Sequence, residues 1–197
     1  ALSDVERVQI SEAFHADRFL RIGHAPEPPM IGYYFSSAGG RAWALHTEAA
    51  FDSLGFAPLP MAEDAQYPLQ QTSCPALFVS PARVDAPASE ERLLSPGALR
   101  AEAYALYLGL AREWAPAAEW PADSIEVRDS DGRPLAGVPV RLGGALVLET
   151  GALGRVRFAR TEPGPMLLEA DPGRPGARRI LLDSERGATL TTGSTGR

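Results

Sequence analysis

The periodicity of the chain changes once, between Pro116 and Pro121, and that change limits what it can fold into. Before it, apolar runs with strand character alternate with amphipathic helical stretches. After it, no helical period occurs, and short alternating runs are separated by Gly and Pro turns. The connecting stretch APAAEWPADS is rich in Pro and Ala, as linkers often are. The expected organisation is an α/β domain over 1–116, a linker over 117–121, a small antiparallel β-sandwich over 122–190 and a disordered tail over 191–197. A chain of 197 residues is long enough to bury a core.

In the first part, residues 4–15 place Val5, Val8, Ile10 and Phe14 at helical spacing behind Ser3 or Asp4 as N-cap. Short strands are expected at 19–23 and 30–36, the second dense in aromatic and β-branched residues. Residues 42–54 carry a wide apolar helical face closed by Gly55. The run Ala-Leu-Phe-Val at 76–79, between Pro75 and Pro81, reads as a central strand buried on both faces. Residues 99–114 form the strongest helix, stopped by Pro116, with Leu106 and Leu110 expected against the sheet. Strands alternating with helices predict a mostly parallel sheet covered by helices on both faces. In the second part, strands are expected at 124–129, 138–142, 145–150, 155–160, 166–170 and 179–182.

Charge and cysteine content remove several classes. All 19 basic residues are Arg. Up to Pro116 there are 8 Arg against 14 Asp and Glu, and beyond it 11 against 11. Neither part is basic, which argues against nucleic acid as a partner. No apolar run nears the roughly 18–20 residues of a membrane span. Residue 1 is followed at once by acidic and polar residues, unlike a signal peptide. A single cysteine, Cys74, excludes an intrachain disulfide and any multi-thiolate metal site.

Several segments, taken in order, resemble the zinc-dependent N-acetylmuramoyl-L-alanine amidases. ERVQISEAFHADRFLRIGHA (6–25) is similar to that family's helix, Ala-Asp turn and strand ending in Ile-x-His-Ala. GYYFSS (32–37) resembles the strand that follows, and a helix at 41–54 sits where the family has its next one. SCPALFVSPARVDAPASEERLL (73–94) resembles the segment running from the last core strand, and 99–114 the terminal helix. The likeness spans about 110 residues. Beyond the junction, IEVRDSDGRPLAGVPVRL (125–142) resembles the opening of carboxypeptidase-regulatory-like β-sandwich modules.

The resemblance implies an amidase-like sheet, a Zn2+ cofactor, peptidoglycan as partner and a periplasmic, envelope or secreted location. A zinc amidase needs three protein ligands, an open position for water and a carboxylate to take its proton. His24 matches one ligand of the family, either as a ligand or as part of an inherited but empty site, so the cofactor is Zn2+ or none. The segment that bears the other two would precede Ala1, so an N-terminal fragment of the same precursor is an implied partner. The family's catalytic Glu falls on Ser80, and a hydroxyl near its ordinary pKa does not serve as that base.

Other residues have plainer readings. Glu12 and His15 lie one helical turn apart, but on a helix expected away from the strand end that carries His24. His46 and Glu48, two apart on a helix, point in different directions. Cys74 reads as a small residue at the entrance of a buried strand, not as a nucleophile. Ser80 lacks the Gly-x-Ser-x-Gly elbow of a serine nucleophile. Asp129, Asp131 and Gly132 form a turn without the remaining ligands of a calcium loop. Tyr33, Tyr34, Phe35 and Trp43 offer a sugar-stacking surface, half of which alternation assigns to the core.

Three functions compete on these grounds. The first is a degenerate, non-catalytic amidase-fold protein of the bacterial envelope that binds or assembles near peptidoglycan. The second is the C-terminal chain of a processed zinc amidase. The third is a structural pair of domains with no ligand.

Overall fold

A computed structural model describes residues 2–24, 26–118, 120–143, 146–160, 166–171, 178–182 and 188–191, with backbone alone in the last two segments. The elements follow in chain order as α1 (Asp4–Ala13), β1 (Phe19–Ile22), β2 (Met30–Tyr33), α2 (Ala38–Ser53), β3 (Met61–Glu63), α3 (Tyr67–Gln71), β4 (Ala76–Ser80), α4 (Pro87–Leu93) and α5 (Pro96–Trp114). There follow β5 (Ala122–Arg128), β6 (Pro139–Leu142), β7 (Leu146–Glu149), β8 (Arg155–Ala159), β9 (Met166–Ala170), β10 (Arg178–Leu182) and β11 (Ala188–Thr191). By contacts the chain divides into two units. The first holds residues 1–52, 56–94 and 105–118, and the second 53–55, 95–104 and 119–197. The start of α5 thus groups with the second unit, whereas the sequence places the junction at 117–121.

The first unit is built on a four-stranded sheet in the order β1-β4-β2-β3. β1 runs parallel to β4 and β2 parallel to β3, but β2 and β4 are antiparallel. The sheet is therefore mixed, not mostly parallel. The reason is the short connection at 23–29. A parallel crossover needs a dozen or more residues, so seven can only turn at the sheet edge and send β2 back. The gap left beside β1 is filled later by β4. β2 also stops at Tyr33, short of the expected 36, and β3, α3 and α4 were not expected from the sequence.

Local chemistry sets the helix ends. Ser3 caps α1 in a capping box: its Oγ accepts from the Glu6 amide, and the Glu6 carboxylate accepts from the Ser3 amide at 2.7 Å. α1 lies along β1, where Arg21 Nη1 donates to Asp4 Oδ2 at 3.2 Å. The opposite face of the sheet carries Ile31, Leu77 and Val79, all fully buried. α2 and α5 supply a matching buried set in Trp43, Ala44, Ala50, Phe51, Ala105, Leu106 and Leu108. Each large apolar side chain so buried contributes roughly 1.5–3 kcal/mol. Leu106 is buried as expected, but Leu110 is only half-buried. Its position faces the outer side of a helix whose inner stripe runs through Ala105 and Leu108.

The second unit contains two sheets, ordered β10-β9-β6-β7 and β11-β5-β8. All its pairings are antiparallel except β11 with β5, which departs from the expected all-antiparallel arrangement. β11 at 188–191 lies beyond the last expected strand, and Thr191, expected in the tail, ends it; residues 192–197 lie outside the described residues. Alternate residues are buried along β5 (Ile125, Val127), β6 (Val140, Leu142) and β8 (Val156, Phe158). The first turns of α5 belong to this unit. The Tyr104 hydroxyl accepts from the Ala159 amide and donates to the Ala159 carbonyl, each at 3.2 Å. The Glu149 carboxylate lies where a Cβ on Gly97 would sit, at the positive N-terminal end of the helix.

Candidate functional site

The two residues singled out by sequence reach the same edge of the first sheet. β1 and β4 run side by side, with Ile22 level with Val79 and the Gly23 amide donating to the Val79 carbonyl at 3.0 Å. His24 follows in the loop past the end of β1, and Ser80 is the last residue of β4. The start of β2 completes this edge, because Met30 pairs with Ser80. The placement follows from sequence: two strands of similar length, each begun by an apolar residue after a loop, end level with each other.

The register separates the two side chains. Ser80 is level with Gly23, on the face of Arg21 and Phe78 that α1 covers. His24 lies one residue further on. The pairing therefore gives no support to one cleft shared by the two side chains. Ser80 is 1% exposed, and its hydroxyl has no hydrogen-bond partner among the described residues. A buried serine hydroxyl in this state is neither a carboxylate base nor an activated nucleophile, since no imidazole or carboxylate is bonded to it.

The remaining candidates lie elsewhere. Glu12 Oε1 accepts from the Ser73 amide at 2.7 Å, which places the end of α1 at the opposite edge, where β4 begins. That amide holds the Glu12 carboxyl below its usual range. His15 is exposed and adopts a left-handed backbone (φ 49°) just past the helix end, a position that stops α1. Cys74 lies beside Ser11, with Sγ 3.9 Å from its Oγ. His46 Nδ1 lies 3.0 Å from Glu113 Oε2, and Arg18 Nη2 donates to Glu113 Oε1 at 2.9 Å. Sequence reading passed over Glu113. The signal was an acidic residue in the last turn of a helix, where the dipole disfavours it unless cations are near.

The aromatic candidates divide between core and surface. Trp43 is buried, Tyr33 and Tyr34 are half-buried, and Phe35 is 64% exposed with Tyr34 packed edge-to-face against it at 4.6 Å. Asp129 Oδ1 accepts from the amides of Asp131 and Arg133 at 2.9 and 2.8 Å, and Gly132 takes φ +81°. That oxygen is spent on the turn.

Among the described residues, no three His, Cys, Asp or Glu side chains are arranged to hold a metal ion. His24 lies past the end of β1, Glu12 and His15 are at the other edge, and His46 is engaged by Glu113. These residues do not fit a zinc site on their own.

No family model matches the sequence, and no curated protein matches it. Solved structures do match the fold. Over about 58% of its length the chain superposes on the N-acetylmuramoyl-L-alanine amidase from Clostridium difficile 630, with a TM-score of 0.53 at 14% identity and 66% of that chain covered. The CwlD amidase from Clostridioides difficile, solved in complex with the GerS lipoprotein, gives 0.53 at 12% identity, over 57% of this chain and 61% of that one. The amidase Ami1 from Mycobacterium abscessus gives 0.50 at 14% identity, over 56% and 61%. The class defined is thus a mixed α/β fold of the amidase catalytic-domain type. The chain spans just under two thirds of the length of the first of these amidases. Among the described residues, no helix is long and apolar enough to cross a membrane.

Proposed function

We propose that the first unit is a degenerate amidase-fold module of the bacterial cell envelope, which binds or assembles near peptidoglycan and does not hydrolyse it. The observation that carries this reading is Ser80. The resemblance puts the family's catalytic carboxylate at the end of β4, and here that position holds a buried hydroxyl. Nothing bonded to it can take a proton from water and return it to a leaving amine. The amidase fold supports the envelope assignment, and the second unit is read as a carboxypeptidase-regulatory-like β-sandwich that accompanies it.

A second reading rests on His24. It sits at a strand end, and the chain spans less than two thirds of the matched amidase. On this reading a companion segment of the precursor supplies the other ligands of a zinc amidase. One experiment tests the first reading. Purified residues 1–197 are incubated with peptidoglycan sacculi and excess zinc, and both pellet and supernatant are analysed. Cosedimentation without release of stem peptides supports the binding module. Chelator-sensitive release of stem peptides overturns it.

A further inference from the structure

We draw no further inference here: the strongest candidate, the outer edge of β1 at Leu20 and Ile22, which has no strand partner among the described residues and carries the exposed Ile22, is an unpartnered apolar edge, and nothing in the structure shows what covers it.

Discussion

α2 and α5 approach closely where Thr47 faces Gly109: a Cβ added at Gly109 would lie 2.6 Å from Thr47 Oγ1 and 2.8 Å from Thr47 Cα. Real side chains do not tolerate such distances, so Gly109→Ala must push the helices apart. Overpacking of this kind costs roughly 1–3 kcal/mol. Alanine's better helix propensity returns up to about 1 kcal/mol. A net loss of about 1–2 kcal/mol is expected in a urea titration. Because Thr47 Cα is itself in the way, Thr47→Ala in the same chain should not restore stability. A gain from Gly109→Ala would show that the helices are further apart.

Ser80 offers a test of the other sign. Its hydroxyl is buried and unpartnered among the described residues. Deleting an orphaned polar group removes a desolvation cost, so Ser80→Ala should be neutral or stabilising by up to about 1 kcal/mol. Ser80→Glu buries a carboxylate and should destabilise by several kcal/mol, on the order of 2 or more. It should not create amidase turnover, because one restored carboxylate leaves the ligand set incomplete. A large loss with Ser80→Ala would show that the hydroxyl has a partner.

Core truncation should distinguish two leucines on one helix. Leu106 is 8% exposed, and Leu106→Ala should cost on the order of 2–5 kcal/mol. Leu110 is half-buried, so Leu110→Ala should cost clearly less, about 1 kcal/mol. Chemical denaturation of both variants checks the order, and equal losses would place the two side chains in equivalent surroundings.

Acid should loosen the docking of α1. The Ser73 amide favours the ionised form of Glu12, so its folded-state pKa lies below the ordinary value of 4.5. The stabilisation is then present above that ordinary value and is lost as pH falls through the lowered one. Glu12→Gln should melt earlier than the parent at pH 7, with the gap narrowing towards pH 3. Glu6 is shifted the same way by the Ser3 amide and is untouched in this variant, so some acid sensitivity remains. A gap that does not change with pH would remove Ser73 as the partner of the charge.

Much of the first unit could be read from local patterns. Ser3 followed by Glu6 marks a capping box, and the run Ala76–Val79 between prolines marks a buried strand, because each signal is confined to a few residues. Strand direction was harder. The reversal of β2 depended on the length of 23–29, a connection too short for a crossover, and that length was available in the sequence but outweighed by the alternation of helix and strand. β3 is three residues long and gives almost no periodicity. At the site, the shared edge of His24 and Ser80 was legible because one follows the end of a strand and the other ends one. Their offset by one residue was not, since register depends on how β1 slides along β4. The double role of Glu113 joins Arg18, His46 and the last turn of α5, residues that sequence spacing does not bring together.

The hydroxyl of Tyr104 closes both backbone groups of Ala159, and Glu149 meets the start of the same helix at Gly97. A gene join at the proline-rich junction would therefore deliver the second unit's strands without the helical turns that complete them. Recombination that moved this module between proteins would have had to break upstream of Ser95. In lineages that share it, residues 95–104 should be inherited with the strands even where the rest of the first unit is replaced.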